Sequence, residues 1–198
     1  MDFTWLIAAW VNSREPQLQE IRQRAAAIQP TVGHPTPIGT DPRQHGLFQV
    51  SAIYDALQEE KLKYHDAPLV FHSDRNDYLQ RVQTCVETLR SKAANCLDGA
   101  VLFASLLSMS GLHPAILLIP GHALVGWKER EKTSEEWEFL ETTIYSDFAR
   151  ARAVGNNKYQ AVKHLCSLGR SAGIGDTKQF AILIDVHQTV TDQKIVPI

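Results

Sequence analysis

The chain lacks most of the features that would place it quickly. Its three cysteines, Cys85, Cys96 and Cys166, form no CxxC pair and leave an odd thiol. That excludes a disulfide framework or a zinc finger as the organising device and fits a reducing, cytoplasmic setting. No apolar run approaches the ~18 residues that a membrane-spanning helix needs. At the N-terminus an acid, Asp2, precedes a short apolar stretch from Phe3 to Val11. With no basic n-region and no small-residue cleavage site, no signal peptide is expected. Charge of one sign is also missing: 20 Lys+Arg stand against 22 Asp+Glu, a net of −2 over 198 residues. Such a balance gives no reason to expect a nucleic-acid or anionic-membrane partner. No internal repeat and no low-complexity tract is present.

What remains is an ordinary globular composition, 44% hydrophobic and 21% charged, at a length that argues for a single domain over 1–198. Residues 1–76 read as mainly helical and 77–198 as the core that carries chemistry. Asn12 or Ser13 can cap a helix with Pro16 in its first turn, running to about Ile28. Gln29 to about Gly46, with four prolines and three glycines, reads as a linker or cover. Leu47, Val50, Ile53, Tyr54 and Leu57 recur at helical spacing. Lys63 to Asp77 shows no clear period.

The middle of the chain is more explicit. Thr84-Cys85-Val86-Glu87 fits a capping box, predicting a short helix that fades near Ser91. Asn95 can cap a helix from Cys96 to Ser110 that is apolar nearly all round, hence buried. Gly111 suits its left-handed stop, with Pro114 preventing continuation. Strands are expected over Ala115–Ile119, His122–Trp127, Trp137–Thr143 and Phe180–Val186, with a turn at Pro120-Gly121, a charged loop over Lys128–Glu136 and a helix around Tyr159–Leu168.

Cys96 therefore stands at the start of a buried helix, where the dipole and free N–H groups favour a thiolate and could bind an oxyanion. Cysteine also packs as a small hydrophobe, so position alone does not make a nucleophile. His122 opens a strand. If that strand forms a hairpin with the next, one register sets Trp127 opposite Glu136, Leu124 opposite Phe139 and His122 opposite Glu141. Direct neighbours have Cβ atoms about 4.5–5.5 Å apart, close enough for a carboxylate to orient an imidazole. A slip of one residue would turn Glu141 to the other face. Nucleophile, base and orienter are then all present.

The run Asn95-Cys96-Leu97-Asp98-Gly99-Ala100, then Gly111-Leu112, Pro120-Gly121-His122-Ala123 and Phe139-Leu140-Glu141-Thr142-Thr143, resembles a transglutaminase-like domain of the papain-like cysteine-enzyme superfamily. The resemblance covers about Gln80 to Thr143 and lies in the ordered combination, each piece alone being weak. It implies an α+β fold in which the Cys96 helix packs on a small antiparallel sheet, braced by N-terminal helices. It implies Cys96 as nucleophile, His122 as general base and acid, and Glu141 as orienting carboxylate. The acid of that family is more often Asp, so Glu141 reaches from one methylene further away. For the oxyanion, the Cys96 N–H and the side chain of Gln83, ahead of Gln80, are the candidates.

The expected activity is hydrolysis of a peptide or amide bond through a Cys96 thioester. Transamidation, deamidation, small-molecule acyl transfer and a binding module without turnover are the alternatives. A protein or peptide substrate is expected, with no cofactor and no metal. Compact relatives of this kind occur in bacterial multidomain or operon-linked proteins, so a fused or operon-linked partner is a further expectation. Asp98 is read as structural, Asp185 as a less favoured acid. Cys85, Cys166, Trp5, Trp10 and Trp127 are read as packing residues, His45, His65 and His72 as exposed. Cys96, His113, His122 and His187 lack metal-ligand spacing. Gly169 to Gly175 lacks a P-loop ending and reads as a loop.

Overall fold

The computed structural model describes residues 4–28, 45–65, 70–72, 77–79, 81–128, 137–172 and 181–197. Most of the expected linker (29–44) and most of the charged loop (129–136) lie outside these residues, as does Gln80. A 3-10 helix over Thr4–Trp10 leads to α1 (Pro16–Ile28) and α2 (His45–Gln58). Strands β1 (Lys63–Tyr64), β2 (Val70–His72) and β3 (Asp77–Leu79) fall in or beside the segment without a period. Helix α3 (Cys85–Ser91), strand β4 (Ala93–Ala94) and helix α4 (Cys96–Met109) follow. Then come β5 (His113–Ile119), β6 (His122–Lys128), β7 (Glu138–Leu140), α5 (Phe148–Ser171), β8 (Ile182–Asp185) and α6 (Val186–Gln193).

The fold is α+β. Four antiparallel strands lie in the order β7-β6-β5-β8, and α4 packs on β5 and β6. Helix α4 sits at the centre because it is apolar nearly all round: Leu97, Val101, Leu102, Phe103, Leu106 and Leu107 are all buried. Each such side chain contributes about 1.5–3 kcal/mol through burial. The helix meets Ile116, Val125 and Leu140 of the sheet and Leu18, Ile21, Ile53 and Leu57 of α1 and α2 in one core. Helices α1 and α2 share that core, and α2 packs against α4. The sheet's other face buries Ala115, Leu117, Leu124 and Phe139, with Tyr159 of α5 packed against them.

Local signals account for the element ends. The predicted Thr84 capping box is formed, the predicted Asn95 cap is completed into a box by Asp98, and Gly111 ends α4 with φ +84°. Gly121 turns the β5–β6 hairpin with φ +71°, a conformation that a Cβ makes unfavourable.

Several expectations need correction. The β6–β7 ladder pairs Val125 with Leu140, Gly126 with Phe139 and Trp127 with Glu138. That is a slip of two residues from the expected register, so facing is preserved while partners change. Strand β7 also ends at Leu140, leaving Glu141 just beyond it. Strand β5 starts at His113, so Pro114 lies within it, and β8 is confined to Ile182–Asp185. Helix α5 begins at Phe148, well before Tyr159, and carries through Gly169 to Ser171, part of the stretch expected to be a loop. Its early start was masked by Gly155 and Asn156, which depress helix propensity. Gly155 is there for contact: a Cβ would stand 2.5 Å from the Phe139 carbonyl oxygen, where α5 abuts the edge of β7.

Candidate active site

Asn95 builds the start of α4. Its Oδ1 accepts from the Leu97 N–H at 2.8 Å and the Asp98 N–H at 2.9 Å, and its own N–H donates to Asp98 Oδ2 at 3.3 Å. Asn95 O takes the Gly99 N–H at 3.0 Å. Of the first-turn donors, the Cys96 N–H is the one that the cap leaves over. Asp98 is buried and also accepts from the Gln83 N–H at 2.8 Å and Gln83 Nε2 at 3.2 Å. It holds the approach to α3 against α4, the structural role expected of it. Gln83 is correspondingly committed, since Ser91 Oγ donates to its Oε1 at 3.3 Å.

Cys96, half-buried, lies at the first position of α4. His122 follows the Gly121 turn as the first residue of β6. Glu141 lies one residue past β7 in a segment clamped from three sides. Its N–H donates to Ala151 O of α5 at 3.0 Å, and Thr142 Oγ1 donates to the Cys96 carbonyl at 3.1 Å. Tyr54 of α2 donates its hydroxyl to Ile144 O and accepts from the Asp147 N–H at 3.1 Å. Gly99 admits this packing, because a Cβ there would stand 3.1 Å from both the Thr142 side chain and the Tyr145 hydroxyl.

Glu141 is buried, with its side chain 2% exposed. Its Oε2 accepts from His122 Nε2 at 2.7 Å and from the Lys158 ammonium. Its Oε1 accepts from Thr143 Oγ1 at 2.8 Å and the Thr143 N–H at 3.1 Å. A carboxylate has about four acceptor sites, and here all are used. Burial pushes this acid up, but the hydrogen bonds from His122, Lys158 and Thr143 outweigh it and hold it down at about 2. His122 is raised to about 9 by its hydrogen bonds with Cys96 and Glu141, against burial and the nearby Lys158 charge. With Nε2 turned to Glu141, Nδ1 is the ring nitrogen left for Cys96.

The structure therefore brings Cys96, His122 and Glu141 together, although Glu141 reaches His122 along the diagonal of the ladder rather than straight across. Sequence reasoning passed over Lys158, Tyr54 and the roles of Thr142 and Thr143. The one usable signal was the Glu-Thr-Thr run, whose second hydroxyl can turn back onto the acid two residues earlier.

The other candidates fall elsewhere. Cys85 is buried, donates to Ser105 Oγ at 3.2 Å and is pushed by burial up to about 11. Asp185 caps α6 through the Gln188 N–H at 3.1 Å and pairs with Lys128 at 3.2 Å. His113 and His187 stack with ring centroids 4.9 Å apart. His65 is half-buried rather than exposed. With Arg81, Gln83, Arg90, Asn95 and Asp98 it lines a cleft of about 480 Å³ beside the start of α4. Among the described residues no group of three or more His, Cys, Asp or Glu is placed to hold a metal ion, and no helix is long and apolar enough to cross a membrane. No protein-family model matches the chain, and neither the curated proteins nor the solved structures give a match to it.

Proposed function

We propose that the chain is a cysteine-dependent acyl-transfer enzyme of the transglutaminase-like, papain-like kind, hydrolysing a peptide or amide bond with Cys96, His122 and Glu141. The observation that carries the reading is the 2.7 Å contact from His122 Nε2 to a buried, ionised Glu141. It fixes the ring with its other nitrogen toward a cysteine at a helix N-terminus.

The chemistry follows from that arrangement. The Cys96 thiolate attacks the carbonyl carbon while the imidazolium keeps the proton. The oxyanion of the tetrahedral intermediate meets the Cys96 N–H that the Asn95 cap leaves over. The intermediate collapses to a thioester as the C–N bond breaks, and His122 gives its proton to the leaving amine. Water then attacks the thioester, with neutral His122 taking its proton, and expulsion of the thiolate regenerates the ion pair. Glu141 stays ionised throughout. A peptide or protein substrate in the cytoplasm fits this chemistry.

The test is the alkylation rate of each cysteine by iodoacetamide against pH, followed by mass spectrometry in wild type and His122→Ala. Cys96 should outpace Cys166 below pH 7, and His122→Ala should remove that advantage. A Cys96 that is inert, or indifferent to His122, overturns the proposal and leaves a binding module as the better reading.

A further inference from the structure

We propose that Lys158 is a positioning residue for the His122–Glu141 pair, pinning the carboxylate from α5 so that the oxygen facing His122 is held in place. The inference rests on the functional reading above. Its basis is which oxygen the lysine takes. Thr143 saturates Oε1 twice, and Lys158 binds Oε2, the atom that also receives His122 Nε2. With Oε1 filled by Thr143, the second lone pair of Oε2 is the one left for the ammonium, so the lysine holds the oxygen that faces the imidazole. Its approach is built into the fold, because Gly155 lets α5 lie against the β7 edge and the Phe139 N–H donates to Asn156 Oδ1 at 2.7 Å. The Lys158 side chain is 38% exposed while that of Glu141 is 2% exposed, so the lysine closes the solvent side of the acid.

The sharing has a chemical consequence. Groups acting on His122 come from three elements: Cys96 of α4, Glu141 after β7 and Lys158 of α5. Strand β5 presents Ile119 opposite it, and the buried Tyr145 phenol feels the charge of Glu141. Cys96 and Glu141 stabilise the imidazolium, whereas Lys158 opposes it. The lysine thus acts on His122 in two opposed ways: its charge disfavours the imidazolium, whereas its hold on Oε2 keeps the stabilising Glu141 contact in place.

The experiment is an NMR titration of the His122 ring in labelled wild-type protein, assigned with His122→Ala, beside Lys158→Met, Lys158→Gln and Lys158→Arg. If the hold on the carboxylate outweighs the lysine's own charge, Lys158→Met and Lys158→Gln should lower the His122 midpoint by at least about 0.5 pH unit, and arginine should restore it. In a Glu141→Gln background, where no carboxylate is left to hold, Lys158→Met should leave the midpoint in place or raise it. An unmoved or raised midpoint with Glu141 present overturns the proposal. So does an equal lowering without the carboxylate, which would mean that Lys158 does not act through Glu141. Cys96 alkylation measured in parallel reports separately on the catalytic reading, because the titration decides the role of Lys158 toward the pair even where the thiol is inert.

Discussion

Cys85 opens α3 behind a Thr84 capping box, and Cys96 opens α4 behind an Asn95 capping box. Both caps are extended, both helices carry an acid at the third position, and each thiol stands over the same kind of helix terminus. Yet Cys85 is 3% exposed, bound to Ser105 Oγ and pushed up to about 11, while Cys96 is half-buried and faces His122. A helix dipole is worth about 0.3–1 kcal/mol, less than tenfold in an equilibrium. The burial of Cys85 overrides it. On the proposed reading, what sets Cys96 apart is what the fold places across from it, and the helix start is a minor contributor common to both thiols.

The widest break of this comparison is kinetic. At pH 7 a thiol at about 11 is ionised to about one part in ten thousand, so Cys85 should be nearly inert. Iodoacetamide should modify Cys96 at least about 100-fold faster than Cys85 in the native protein. In concentrated urea the two rates should converge, because the proposed difference is tertiary. Similar rates in the native state, or a gap that survives unfolding, would undo the comparison.

The next break is in the pH dependence of stability. Glu141 is held at about 2, below its unfolded range, so its contribution is complete above pH ~4.5 and is lost as pH falls toward 2. His122 is raised to about 9, so its contribution is complete below pH ~6.5 and is lost as pH rises through 9. As far as this pair goes, stability should be level between about pH 4.5 and 6.5 and fall on either side. Glu141→Gln should lower the plateau by about 3 kcal/mol, the cost of breaking a buried pair, and flatten the acid limb. Urea titrations from pH 3 to 9 measure both. Cys85→Ala, by contrast, should leave the limbs below pH 8 where they are.

The pair was legible before any coordinates because strand side chains alternate with a period of two. An expected register in error by two residues still set Glu141 on the face of His122, whereas an error of one would have lost it. The caps were legible because a Thr followed three residues later by an acid, or an Asn just ahead of an apolar run, is a local signal. The clamp around Glu141 was not. Tyr54 and Ile144 meet across 90 residues, and Lys158 reaches Glu141 only because α5 starts at Phe148. That start was hidden by Gly155 and Asn156, whose poor helix propensity is offset by close contact with β7. Long-range packing chose those residues, and no window of local sequence contains their partners.

The smallest effect discriminates most finely, because it separates the helix start from the neighbour at Cys96 itself. Thr84 accepts one N–H, from Glu87 at 3.2 Å, whereas Asn95 accepts two at shorter distances from a buried position. Thr84→Ala should therefore cost about 1 kcal/mol of unfolding free energy and Asn95→Ala about 2. Neither should change the thiols much. Thr84→Ala leaves Cys85 buried, and Asn95→Ala disturbs a dipole whose share at Cys96 is below tenfold. Measured in the folded fraction, the Cys96 alkylation rate in Asn95→Ala should stay within about tenfold of wild type, while His122→Ala removes the advantage entirely. If the cap variant is as damaging as the histidine variant, the helix terminus is what activates Cys96. The silence of Cys85 would then follow from its burial alone, with no weight left for the missing partner.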